Sequence, residues 1–142
     1  MLTKYGVAAG ALALAFGVGF AVGRDAPASA QGRNRVFEIR TYVTESKTGL
    51  DALVKRMADG EARLFGKAGM TNVGHFVAAD APKSENTYIY IVAHESQEQA
   101  KASWAKFRED PEWVKLRATA TSPGPIKVDA VFVNPTSFST LK

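Results

Sequence analysis

The sequence predicts an α+β domain, a four-stranded antiparallel sheet with its helices packed on one face. Three observations carry that prediction. Strand-period and helix-period stretches follow one another in the order β-α-β-β-α-β. Helix starts are marked by recognisable caps. The 142-residue chain has no cysteine, so no disulfide supports the fold, and the domain rests on an apolar core, on oligomerisation, or on both.

Residues 36–43 form the first strand, with Phe37, Ile39 and Val43 pointing one way and Glu38, Arg40 and Tyr42 the other, because side chains alternate along a strand. Thr48, with Asp51 three residues later, marks a helix start of the capping type. Leu50, Leu53, Val54, Met57, Leu64, Phe65 and Ala68 then recur at helical spacing, and Gly69 closes the run as a C-cap. Gly60 falls inside this helix and weakens it by roughly 1 kcal/mol relative to alanine. Residues 70–79 are the second strand, 80–86 a turn, and 87–94 the third strand. Ser96 and Gln99 make a capping box, opening a helix with Ala100, Trp104 and Phe107 on its buried stripe. Asp110 at the N-cap and Pro111 at the first helical position start a short further helix. Residues 122–125 break it, and 126–133 are the last strand.

This order is the ferredoxin-like, or split-βαβ, plan. It leaves one sheet face open. Phe37, Ile39, Val43, Ile89 and Ile91 suit the helix side; Glu38, Arg40, Tyr42, Tyr88, Tyr90, Val92 and His94 are then expected on the open face. A face that aromatic calls for a partner. Pairing two such sheets predicts a homodimer, a dimeric α/β barrel enclosing a cavity.

Ahead of the domain, Lys4, an uncharged apolar run over residues 6–23 and Ala28-Ser29-Ala30 have the layout of a secretory signal peptide cleaved before Gln31. The run also reaches the length of a membrane span, so an uncleaved anchor is the alternative for residues 1–30. Cleavage predicts a periplasmic or extracellular protein. Retention predicts a tether through residues 6–23 to the cytoplasmic membrane. Residues 31–35 are a linker, 36–135 the domain and 136–142 a tail. The net charge of +4 is spread among interspersed signs, which argues against a nucleic-acid footprint. Absence of cysteine excludes thiolate catalysis and thiolate metal sites.

Several blocks in order, Phe37 to Tyr42, Gly69-Met70, Gly74-His75-Phe76, Asn86-Thr87, His94-Glu95-Ser96 and Asp110-Pro111-Glu112-Trp113, resemble the NIPSNAP family over most of the chain beyond residue 35. The resemblance implies a ferredoxin-like dimeric α/β-barrel domain, near a superfamily of cofactor-independent monooxygenases, cyclases and isomerases. That family has no settled chemistry, so it lends no catalytic residue. His75 and His94 stand where aromatic residues are more usual.

The candidate cavity or ligand-binding residues are Glu38, Arg40, Tyr42, Tyr88, Tyr90 and His94. Arg40 suits a carboxylate or enolate, with Glu38 orienting it or acting as base; equally, the two form a structural ion pair. The tyrosines suit an aromatic or acyl ligand, or simply fill a barrel. His94, at a strand end, is a candidate base. His75 falls opposite Tyr90 or Ile91 and His94 opposite Thr71 or Asn72, and a one-residue slip reverses the face of His75. About four residues, or roughly 13 Å, separate the two histidines. That is too far to share a metal, and neither metal nor cofactor is expected. Trp104, Phe107 and Trp113 read as core. The function expected is a dimeric domain that binds a small apolar or aromatic molecule or serves a structural, interaction role. The alternative is a cofactor-independent enzyme in which Arg40 holds an oxyanion and His94 or Glu38 moves a proton.

Overall fold

The computed structural model describes residues 35–142. The segment read as a signal peptide or anchor (1–30), and linker residues 31–34, lie outside the described residues. Four strands, β1 (Val36–Thr44), β2 (Thr71–Val77), β3 (Thr87–His94) and β4 (Ile126–Val133), form one sheet in the order β2-β3-β1-β4. Every pairing is antiparallel. Helices α1 (Lys47–Arg56) and α2 (Ala62–Lys67) link β1 to β2, while α3 (Gln97–Glu109) and α4 (Pro111–Thr119) link β3 to β4. This is the ferredoxin-like plan that the element order predicts. Among the described residues no helix is long and apolar enough to cross a membrane.

Local signals explain the boundaries. Ser96 caps α3 by accepting from the Gln99 amide, and Asp110 caps α4 by accepting from Glu112 with Pro111 behind it. Gly69, at φ 100°, ends α2 as the C-cap glycine expected there. The cap of α1 is Ser46, two residues before the predicted Thr48.

Between α1 and α2 the chain makes a π turn, Met57–Glu61, in which Gly60 adopts φ 154° and ψ −19°. This conformation disfavours any residue with a Cβ. Gly60 therefore marks a bend, where the sequence reads as one helix with a weak point.

The two sheet faces are the reverse of the expected assignment. Tyr42, Tyr88, Tyr90 and Val92 lie in the helix-side core with Leu50, Leu53, Met57, Phe65, Phe107 and Trp113. Glu38, Arg40 and His94 share that face by strand alternation, and Trp104 of α3 bonds Glu38 directly. Phe37, Ile39, Val43, Ile89 and Ile91 point to the other face, where part of the C-terminal tail covers Phe37, Ile39 and Ile91 through Pro135 and Leu141. The physical reason is satisfaction of polar groups. Tyrosines and paired ions with internal partners can be buried, and their large rings fill more core than isoleucine or valine.

Candidate functional site

β1 is a central strand, so Glu38, Arg40 and Tyr42 project from the middle of the sheet into the space under α3 and α4. Glu38 is 3% exposed. Its Oε1 accepts from Arg40 Nη1 at 2.7 Å, and its Oε2 accepts from Trp104 Nε1 at 2.7 Å. His94 Nε2 lies 3.1 Å from the same Oε2; a carboxylate only accepts, so His94 donates through Nε2. Burial opposes the charge of Glu38, but the bonds from His94 and Trp104 and the charge of Arg40 outweigh it. They hold the carboxyl below its usual range. Arg40 stacks over the Trp104 ring at 4.5 Å. Its Nε, like His94 Nδ1, is buried without a hydrogen-bond partner among the described residues.

A second unit has the same composition. Arg56 Nε donates to Glu61 Oε2 at 2.7 Å, and the Arg56 guanidinium lies 5.3 Å from the Trp113 ring centroid. At 3.6 residues per turn, positions five apart diverge by about 140° around a helix. The intervening π turn, closed between residues five apart, brings Arg56 and Glu61 to one side. Burial, only partly opposed by Arg56, pushes the Glu61 carboxyl up. Glu61 Oε1 has no hydrogen bond among the described residues.

Behind these units runs a chain of rings. The Tyr42 and Tyr90 hydroxyls are 3.1 Å apart. Tyr90 is stacked between Phe65, at 5.4 Å, and His75, at 5.5 Å. His75 Nδ1 lies 2.8 Å from the Tyr88 hydroxyl and Nε2 lies 3.0 Å from Asn72 Oδ1. Burial pushes the Tyr88 phenol up to about 12, raises Tyr90 further, and lowers His75 below its ordinary value. A β-bulge between Asn72 and Gly74 decides the side of His75, pairing it with Tyr90. His94 pairs with Val36 on β1. On the β2 side Ala93, not His94, lies opposite Thr71.

Arg40 and Trp104 of the first unit and Arg56, Glu61 and Trp113 of the second line one cleft of about 320 Å³, together with Tyr42, Arg108, Arg117 and Val128. That volume is at the lower end for small-molecule sites. Arg108 and Arg117 make no ion pair among the described residues, so the cleft carries four guanidinium groups and one lining carboxylate. Of the six candidates, Arg40 and Tyr42 line this cleft; Tyr88 and Tyr90 stand behind it, and Glu38 backs Arg40. His94 is 1% exposed and is enclosed rather than at a cavity mouth. Sequence reasoning missed Arg56, Glu61, Arg108 and Arg117. Helical spacing placed none of them on the inner stripe, and the offset of Glu61 depends on the π turn. Trp104 and Trp113, read as core, also wall the cleft. Among the described residues no group of three or more acidic or imidazole side chains is arranged to hold a metal ion.

Fold and cleft define a ferredoxin-like α+β domain with a basic, aromatic pocket between sheet and helices. The NIPSNAP family pattern matches residues 37–140, and the chain belongs to the NIPSNAP family. A NIPSNAP family protein with unknown function from Agrobacterium tumefaciens is similar at 22% identity and a TM-score of 0.66, over 78% of this chain and 96% of its own. A NIPSNAP-like domain protein from Burkholderia xenovorans matches at 18% identity and 0.64, over 75% of this chain and 90% of its own. A Streptomyces coelicolor monooxygenase, solved with the ligand nanaomycin D, matches at 15% identity and 0.50, over 74% and 90%. These likenesses show the fold. Comparison with curated proteins gives no match.

Proposed function

We propose that this domain binds a small apolar or aromatic anion in the cleft beneath α3 and α4, and that it works as a homodimer through the opposite sheet face. One observation carries the binding reading: two arginines, each backed by a buried carboxylate and faced by a tryptophan, border one cleft with two arginines that form no ion pair among the described residues. A guanidinium held in this way keeps its remaining N–H donors in a fixed plane, which suits a carboxylate. The indole and phenol rings beside it suit an apolar body. For the dimer, support comes from the outward face. Ile39 and Ile91 are only partly covered, while Val131 is 49% and Phe76 52% exposed, and a second copy offers the same surface in return. The signal-like N-terminus supports a site of action beyond the cytoplasm, free or tethered. A second reading, cofactor-independent catalysis in the same cleft, is favoured by Glu61 Oε1, which has no hydrogen bond among the described residues.

Tryptophan fluorescence of the full-length protein, titrated with 1-naphthoate and with neutral 1-naphthalenemethanol, tests binding. The anion should bind at least about tenfold more tightly, a difference of about 1.4 kcal/mol. Arg108→Ala with Arg117→Ala should reduce that preference. Equal binding of the two compounds, or none, would refute the reading.

A further inference from the structure

We infer that Glu61 is a catalytic proton-transfer residue for a carbon acid held in the cleft, making the domain a keto–enol isomerase of aromatic 2-oxo acids. The inference rests on the binding reading and adds a reaction to it. Glu38, the carboxylate that the sequence brings forward, is spent: its two oxygens already receive Arg40, Trp104 and His94. His94, with its side chain 0% exposed, is shut away from any ligand. Glu61, with its side chain 4% exposed, differs in its spare oxygen. It lines the cleft, Arg56 fixes only its Oε2, and Oε1 keeps its lone pairs free of hydrogen bonds among the described residues.

The surroundings define the substrate class. A carboxylate finds Arg40 or the rim arginines, an aromatic ring finds Trp104 or Trp113, and a carbonyl oxygen near Glu61 finds Arg56. A 2-oxo acid with an aryl group on C3 has these three features and an acidic C–H between them. Glu61 Oε1 takes the C3 proton, and the C–H electron pair becomes the C2=C3 bond. The carbonyl π pair moves to oxygen, giving an enolate beside a guanidinium. Return of the proton to that oxygen gives the enol and restores the Glu61 carboxylate. Nothing is oxidised or reduced, and no co-reactant is consumed. Burial raises the basicity of Glu61, which favours the first transfer.

Phenylpyruvate is the probe. The full-length protein in deuterium oxide should accelerate loss of the C3–H proton NMR signal at least about a hundredfold over buffer, the lower range for a positioned base. Glu61→Gln should abolish the acceleration while phenylpyruvate still binds, as followed by tryptophan fluorescence. Glu61→Asp keeps the charge beside Arg56 but withdraws the oxygen by one methylene; it should bind normally and lose most of the acceleration, and it decides the matter if Glu61→Gln does not fold. Wild-type protein that binds phenylpyruvate without accelerating exchange overturns the proposal and leaves the binding reading standing. A folded Glu61 variant that exchanges at the wild-type rate also overturns it. Absence of phenylpyruvate binding overturns the reaction, whereas naphthoate tests the binding reading independently.

Discussion

Glu38→Gln removes one charge at the point where Arg40, Trp104 and His94 converge, and its cost follows from the geometry. The carboxylate is 3% exposed and accepts three bonds. An amide of the same shape has one oxygen, so its NH2 must face either Arg40 or the Trp104 indole, donor against donor. The Arg40 charge, with its side chain 20% exposed, then loses its partner. Breaking a buried pair in this way costs about 3–5 kcal/mol. With a urea slope of about 1–3 kcal/mol per M, the unfolding midpoint should fall by about 2 M. The pH dependence has a definite sign. Folding lowers the Glu38 carboxyl below its ordinary value of 4.5, so its stabilisation is complete above that value and is lost as pH falls through the folded one. The gap between wild type and variant should therefore narrow on acidification below about pH 4.5 and stay constant from there towards neutrality. Urea melts at several pH values measure both. A loss under about 1 kcal/mol at neutral pH, or a gap indifferent to acid, would show that Glu38 is not the keystone of this cluster.

Other substitutions probe the remaining parts. Gly60→Ala should destabilise by about 1–3 kcal/mol through backbone strain alone, since its Cβ would meet only Leu116 Cδ2, at an ordinary 3.7 Å; calorimetry should show a clear fall in Tm. Folding raises the Glu61 carboxyl, so wild-type stability relative to Glu61→Gln should decline as pH rises from the ordinary 4.5 through the folded value, then level off; a flat difference in urea melts across that window would refute the assignment. Ser96→Ala removes the α3 cap and should cost about 1 kcal/mol in the same melts. Val131→Asp, on the outer face, should convert dimer to monomer in sedimentation velocity with unchanged far-UV circular dichroism; a dimer that survives would place the interface elsewhere.

Much of the fold is legible in the sequence because its signals are local. The third and fourth strands have the bounds that their composition predicts, and Ser96, Asp110 and Gly69 cap helices where the sequence places them. The Glu38–Arg40 pair is legible for the same reason, since residues two apart on a strand must share a face. What these residues face is not local information. Polarity alone sends Glu38, Arg40 and the tyrosines outward. They lie inward because their partners come from far along the chain, Trp104 being 66 residues from Glu38 and Tyr90 being 48 from Tyr42.

By itself the sequence determined the element order, the caps, the ferredoxin-like plan and the family resemblance, all of which depend on spacing within a few residues or on ordered blocks. Tertiary structure decided which sheet face the helices cover, which side His75 takes after the bulge, and that a π turn rotates Glu61 into the cleft. A buried charge or phenol is stable only when its hydrogen-bond partners arrive with it, and that condition is met in three dimensions rather than along the chain.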